Sequence, residues 1–204
     1  MKQRVAPELK MQKSFSSQAQ QDKERGLIAE IASGDEYAFE QLYQIYFTRL
    51  SQFIFHITRR QDCIGEIIND VMYVVWEKAY TYDQVCRPST WILGIAYFKA
   101  LKSTVQSQRR EDSLVELNDE LDYFPDRGAQ WTSQLETRNW LEAAFDKLST
   151  EQRAVVEMTY YQGLHYSEIS EIMQCPESTV KTRMFHARKI LAKILPELGG
   201  RNSI

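Results

Sequence analysis

Along most of the chain, apolar residues recur every three or four positions, which is the spacing of one face of an α-helix. Stripes of this kind cover residues 27–106 and residues 135–196. Neither region contains the strict alternation of polar and apolar residues that marks a β-strand. The pattern therefore predicts an all-α protein made of two small helical domains.

Turn and capping residues separate the helices of the first predicted domain, residues 27–106. Its opening short helix is expected to end at Gly34, because glycine is the favoured residue just after a helix. Asp35 can then cap the next helix by accepting hydrogen bonds from backbone N–H groups. Two further helices are predicted in this domain, the last of them from about Thr90.

Three segments outside the two domains lack helical periodicity. Residues 1–26 are polar and are predicted to form a disordered tail, and residues 197–204 a second tail. Residues 107–134 include a proline and a glycine and are predicted to be a flexible linker. Acidity is concentrated there: residues 111–136 carry eight acidic residues and one basic residue, whereas the whole chain has a net charge of −3.

The second predicted domain, residues 135–196, begins with short helices and ends in a helical pair. Ser149, followed three residues later by Gln152, is a capping-box pattern that predicts a helix start. This helix is expected to end near Gly163. Residues 164–195 then read as two helices joined by a tight turn, and the second helix is the longer and more basic one.

The last helix of this pair has an apolar face and a basic face. A helix of this kind, set across a turn from a supporting helix, suits the major groove of DNA. An ordinary helical hairpin with a solvated basic face is the alternative interpretation. The polar face carries the candidate DNA contacts Thr179, Lys181, Thr182, Arg183, Phe185, His186 and Arg188.

A second candidate for nucleic-acid binding lies in the last helix of the first domain. Trp91, Tyr97 and Phe98 are close in sequence to Lys99 and Lys102. Aromatic side chains beside cations suit unstacked bases and their phosphates, each stacked base contributing about 1–3 kcal/mol. Burial of Trp91 in the core is the alternative for that residue.

Enzyme chemistry has little support in the sequence. There is no glycine-rich phosphate loop, and the three cysteines and three histidines are scattered without metal-ligand or redox spacing. No apolar run approaches the roughly 20 residues that span a bilayer. The N-terminus does not have the pattern of an export signal. We therefore expect a cytoplasmic, non-enzymatic protein without a metal or cofactor and without membrane insertion of its own.

Two helical domains, an acidic linker and a C-terminal helix-turn-helix resemble the extracytoplasmic-function (ECF) sigma factors of bacterial RNA polymerase, which belong to the sigma-70 family. The resemblance covers residues from about 27 to 195. In the second domain, the run Thr179–Arg183 and the pair Ala187-Arg188 are its most specific motifs. In the first domain, Val71–Trp76 and Thr90–Ile92 match the family's polymerase-docking and promoter-melting helices.

The resemblance implies a function and three sets of contact residues. The first domain would be sigma region 2, which docks on the clamp helices of core polymerase and holds the melted −10 element. The second would be region 4, which contacts the polymerase flap and reads the −35 element as duplex through the candidate residues of the last helix. An anti-sigma factor is a further expected partner. The implied docking residues are Glu66, Asn69, Asp70, Tyr73 and Trp76. The implied −10 contacts are Trp91, Tyr97, Phe98, Lys99 and Lys102.

The chain departs from the family pattern at several of these positions. Glu66 and Asn69 stand where the family usually has Asp and Gln, and Tyr97-Phe98 stand where it has Arg-Asn. His186 replaces a common Arg, which removes a permanent charge near neutral pH. A helix-turn-helix regulator without polymerase docking is therefore the alternative function. A third possible function is that of a protein-interaction module, such as a decoy that binds an anti-sigma factor.

Overall fold

A computed structural model describes the backbone of residues 7–114 and 142–199, and the side chains of residues 18–107 and 142–194. Its elements are α1 (Pro7–Ala32), α2 (Glu36–Thr58), α3 (Ile64–Lys78), a 3₁₀ turn (Ala79–Thr81), α4 (Pro88–Leu114), the described part of α5 (residues 142–145), α6 (Thr150–Tyr160), α7 (Tyr166–Met173) and α8 (Glu177–Gly199). No strand occurs in these two ranges. The all-α prediction is confirmed.

Helix ends follow the capping residues. Gly34 has a φ of 92°, a left-handed conformation that glycine adopts without strain, and the chain turns there between α1 and α2. Asp35 Oδ1 accepts hydrogen bonds from the backbone N–H groups of Tyr37 (2.8 Å) and Ala38 (3.0 Å). Ser149 and Gln152 form the predicted capping box at the start of α6.

The prediction of a disordered tail over residues 1–26 is wrong from Pro7 onward, because α1 begins there. Its polar composition hid an inward-facing group, Glu24, which is only 5% exposed. The Tyr46 phenol on α2 donates a hydrogen bond of 2.7 Å to Glu24 Oε2. Glu24 is polar and therefore breaks the apolar pattern in the sequence, but its hydrogen bond to Tyr46 allows it to be buried within a continuous helix. Residues 1–6 lie outside the described residues.

The predicted linker also begins later than residue 107. Helix α4 continues to Leu114, through a stretch without proline or glycine in which Gln, Arg and Glu favour helix. The prediction is therefore wrong for residues 107–114, and the rest of the linker, together with residues 135–141, lies outside the described residues. The C-terminal tail was predicted from residue 197, but α8 extends to Gly199. Residues 200–204 are not described.

Two groups of helices pack against each other. We call α1–α4 the first half and α5–α8 the second half. Tyr46, Phe53 and Met72 are fully buried in the first half, and Phe145, Ile169 and Met184 are buried in the second. The halves meet where α2 packs against α6 and α4 packs against α7. We call this mutual packing the closed arrangement, and it decides which candidate residues face solvent.

Candidate nucleic-acid interface

Helices α7 and α8 form the helix-turn-helix that the sequence predicted. Gln174 ends α7 in a left-handed conformation (φ 49°), and the Ser170 hydroxyl donates a hydrogen bond of 2.7 Å to the carbonyl of Cys175. Ile172 of α7 and Val180 of α8 are both buried in the core of this unit. The turn thus fixes α8 on α7 through the apolar face of α8, and the opposite face of α8 points outward.

Most of the predicted −35 residues share this outward face of α8. Lys181, Thr182, Phe185, His186 and Arg188 are exposed, whereas Thr179 and Arg183 are half-buried. The phenyl ring of Phe185 is 65% exposed, which is unusual for a large apolar side chain and leaves it free to contact a base edge. The Arg188 guanidinium lies 5.8 Å from the centre of the Tyr160 ring, and its Nε donates a hydrogen bond of 3.1 Å to the Tyr160 hydroxyl.

Arg183 is placed differently from the other basic residues of α8. Its Nη1 atom lies 3.6 Å from the sulfur of Cys175 and 4.0 Å from the sulfur of Met173. Burial raises the pKa of the Tyr97 phenol on α4, and the positive charge of Arg183 opposes that rise. The predicted DNA contact Arg183 is therefore directed toward sulfur atoms of α7 and of the turn before α8.

The predicted −10 residues of α4 do not all reach the surface. Phe98 (42% exposed) and Lys102 are exposed. Trp91 is half-buried, with its ring 5.2 Å from that of Tyr82. Tyr97 is only 3% exposed, and the Lys99 ammonium forms an ion pair of 2.9 Å with Asp70.

The second half covers part of this face of α4. Trp91, Phe98 and Gly94 line one groove together with Glu171 and Ile172 of α7. The Thr90 hydroxyl on α4 donates a hydrogen bond of 3.1 Å to Oε1 of Glu168 on α7. Direct access of an unpaired base to Trp91 is therefore restricted in the closed arrangement.

The predicted polymerase-docking residues lie on α3, and four of the five are exposed. Glu66, Asn69 and Asp70 face solvent, and the Tyr73 ring is 60% exposed. Trp76 is half-buried and packs edge-on against Phe39, with 5.3 Å between ring centres. The outward part of α3 is thus a polar surface with one large aromatic ring, which is suited to a partner protein.

Sequence reasoning missed a set of charged residues between the halves. The His56 ring nitrogen Nδ1 lies 2.5 Å from Glu157 Oε2, and Arg59 Nη1 donates a hydrogen bond of 2.5 Å to Glu142 Oε2. Arg59 Nε also bonds to Asp146 Oδ1 at 2.6 Å. A signal was present in the sequence, because His56 and Glu157 each interrupt an apolar stretch, and they can carry opposite charges.

Comparison with known proteins finds similarity to ECF sigma factors. The family model for sigma-70 region 4 matches residues 138–191. The ECF RNA polymerase sigma factor SigK of Mycobacterium ulcerans is 28% identical over 83% of this chain and 91% of its own length. The ECF RNA polymerase sigma factor SigX of Bacillus subtilis is 26% identical over 78% of this chain and 84% of its own. The chain is therefore similar to ECF sigma factors over most of its length, and its residues 138–191 match sigma-70 region 4.

Two solved structures share the fold of this chain. The sigma factor RpoE of Bartonella quintana, solved with the anti-sigma factor NepR, superposes with a TM-score of 0.61 at 18% identity, over 80% of this chain and 98% of that one. CnrH, solved with the cytosolic domain of CnrY, gives 0.62 at 20% identity, over 86% and 98%. ECF sigma factors are transcription initiation factors of RNA polymerase and not enzymes. No described helix of this chain has both the length and the apolar character needed to cross a bilayer.

Proposed function

We propose that this sigma factor docks on the clamp helices of core RNA polymerase through α3, contacts the flap through its second half, and selects promoters through two separate DNA contacts. Residues 27–106 act as region 2 and residues 135–196 as region 4, connected by the linker that begins after α4. The protein acts in the cytoplasm, where core polymerase meets promoter DNA.

The observation that carries the proposal is the exposed face of α8 on a helix-turn-helix that matches region 4. Lys181 and Arg188 can neutralise phosphates or reach guanine, and Thr182 can reach a base edge or a phosphate. Phe185 offers an apolar surface to a thymine methyl group. This face supports readout of a duplex −35 element in the major groove.

The second DNA contact is placed on α4. Phe98 and Lys102 are exposed and can stack on an unpaired base and bind its phosphate, respectively. Trp91 and Tyr97 join this surface only when the second half is displaced, because α7 lies beside Trp91 in the closed arrangement and Tyr97 is buried there. The −10 element would therefore meet Phe98 and Lys102 first, and Trp91 and Tyr97 only after the halves have separated.

Simultaneous contact with both promoter elements requires separation of the two halves. The −35 and −10 elements are roughly 25 base pairs apart, which is about 85 Å along B-DNA at about 3.4 Å per base pair. In the closed arrangement α7 lies directly on α4, so close that a methyl group added at Gly94 would lie 3.9 Å from Ile172. We therefore assign the closed arrangement to the free or inhibited chain and an extended one to the holoenzyme.

An anti-sigma factor is the partner we propose for the closed chain. The structurally similar sigma factor RpoE was solved with the anti-sigma factor NepR, and the structurally similar CnrH was solved with the cytosolic domain of CnrY. The apolar groove lined by Phe145, Val156, Tyr160 and Leu191 gives the second half a surface that a protein partner can cover.

Reconstitution tests the function. Purified chain and core polymerase should together give promoter-specific transcripts from genomic fragments, and the chain should co-purify with the core enzyme. Glu66→Lys should weaken co-purification, whereas Glu40→Lys, an exposed change of the same kind on α2, should not. Duplex binding by the free chain without co-purification would instead support the helix-turn-helix regulator. Full function of a chain carrying both Lys181→Ala and Arg183→Ala would support the interaction module.

A further inference from the structure

His56 is a nearly buried ionisable residue at the centre of the closed arrangement. It lies on α2, is 9% exposed, and places Nδ1 2.5 Å from Oε2 of Glu157 on α6. Its other ring nitrogen, Nε2, lies 3.6 Å from Oε1 of Glu142 on α5. Glu157 is fully buried. One imidazole from the first half is thus enclosed by two carboxylates from the second.

Two aromatic rings lie beside the imidazole. The centres of the Phe145 and Tyr161 rings lie 5.2 Å and 5.0 Å from the centre of the His56 ring. Oε1 of Glu157 accepts a hydrogen bond of 2.8 Å from the side-chain amide of Gln162, which accepts one of 2.5 Å from Arg49. Both oxygens of the Glu157 carboxylate therefore have a partner, and among the described side chains His56 is the cation that pairs with it.

The other charged groups around His56 already have partners of their own. From α2, Arg59 binds Glu142 and also Asp146, which lies just after α5. From α6, Arg153 directs its guanidinium to the backbone carbonyl of Ile57, with Nη2 at 3.0 Å. A neutral His56 would leave the Glu157 carboxylate buried without a neighbouring positive charge, which is the costly state of a broken buried ion pair.

We propose that closure of the second half onto the first is coupled to protonation of His56, so that the contact between His56 and Glu157 acts as a proton-operated latch. When the halves separate, both side chains leave this enclosed site. The imidazole can then lose its proton without leaving a buried carboxylate unpaired. The latch is a property of the free chain and does not depend on the proposed promoter contacts.

The direction of the pH dependence follows from the environment of His56. Burial by itself lowers the pKa of the imidazole, but the interactions with Glu142 and Glu157 outweigh it and raise the pKa to about 9 in the closed chain. An exposed histidine has a pKa near 6.5. Because the closed-state pKa is the higher one, the stabilisation of closure is complete below pH 6.5 and is lost as pH rises through about 9. Between these limits, closure takes up one proton and its equilibrium constant changes by up to about tenfold per pH unit.

Energy transfer between two dyes measures closure in the full-length free chain. Dyes carried by non-natural amino acids at two exposed positions, Tyr80 in the first half and Lys189 in the second, report the separation from pH 6.5 to 9. The closure constant of the otherwise unchanged chain should fall steadily over this range. His56→Gln should make it independent of pH within about twofold. His165→Gln, which removes an exposed histidine, should keep the original slope.

Two further measurements cover the case in which His56→Gln does not fold. Glu157→Gln keeps the shape of the latch but removes its negative charge, so the slope should flatten. In the unsubstituted chain, the histidine ring resonances should show His56 still protonated at pH 7.5. A flat pH response of the unsubstituted chain, an unchanged slope in His56→Gln, or a neutral His56 at pH 7.5 would overturn the proposal. These experiments need neither polymerase nor DNA, so their failure is distinguishable from failure of the transcription assays.

Discussion

The phenol of Tyr46 on α2 donates a hydrogen bond of 2.7 Å to Oε2 of Glu24 on α1, and neither side chain is open to solvent. The other oxygen of this carboxylate, Oε1, accepts a hydrogen bond of 3.0 Å from Gln20. Burial raises the pKa of Tyr46 well above its ordinary value, and the neighbouring Glu24 adds to the rise, so the phenol remains a donor at all physiological pH values. This bond fixes the N-terminal helix against the rest of the first half.

Tyr46→Phe should destabilise the chain by about 1–3 kcal/mol, because it leaves one oxygen of the buried Glu24 without a donor. Urea unfolding followed by circular dichroism measures the loss. Tyr43→Phe is the matched control: its hydroxyl donates a long bond of 3.4 Å to Asn69 in an exposed position, so the change should stay within about 0.5 kcal/mol. Equal losses in the two variants would contradict the importance of the buried bond.

Gly94 tests the contact between α4 and α7. A methyl group at this position would meet Ile172 at 3.9 Å, an ordinary van der Waals distance. Gly94→Ala should therefore keep the halves closed, and it should stabilise α4 by up to about 1 kcal/mol because alanine is the better helix former. The larger side chain of Gly94→Leu should push α7 away. Small-angle scattering should show a larger radius of gyration for the leucine chain, and equal radii would refute this account of the contact.

Single substitutions on the outward face of α8 should change promoter binding. In the reconstituted holoenzyme, Arg188→Ala should cost about 1–3 kcal/mol at the −35 site if the side chain makes a base contact, and discrimination should relax at one base pair. Competition binding with base-substituted promoters measures both effects. A uniform loss over all sequences with a shallower salt dependence would mark Arg188 as a phosphate contact instead. Lys193→Ala, farther along α8, is the control for loss of charge alone.

The closed arrangement should also weaken at low pH through Glu142. The bond with His56 lowers the pKa of this carboxyl to about 2 in spite of its burial, and Arg59 adds to the effect. Because the closed-state pKa lies below the ordinary value of 4.5, the stabilisation is complete above pH 4.5 and is lost as pH falls toward 2. Dye-labelled Glu142→Gln chains should lose most of this acid response. Asp62→Asn, which removes an acid bound to Arg60 within the first half, should retain it.

Local rules account for the parts of the fold that were predictable from sequence. The Asp35 cap, the Ser149 capping box and the turn before α8 each depend on residues within a few positions of one another. The outward face of α8 was predictable for the same reason, because helical spacing alone separates Lys181 and Phe185 from the buried stripe.

Long-range contacts account for what the sequence did not reveal. Glu24 of α1 lies within the segment predicted to be a tail, and its buried hydrogen bond joins it to Tyr46, 22 positions away. The buried pair of His56 and Glu157 joins residues 101 positions apart. Tyr97 was expected on the −10 surface, but it is buried in the closed arrangement, and no pattern within α4 encodes that burial.

The two carboxylate oxygens of Glu168 accept hydrogen bonds from different halves of the molecule. Oε2 accepts the backbone N–H of His165 at the start of α7, and Oε1 accepts the hydroxyl of Thr90 across the contact between the halves. Breaking the Thr90 bond therefore leaves the cap of α7 intact. The hydrogen bond that starts α7 lies within the second half, so a separation of the halves does not have to break it.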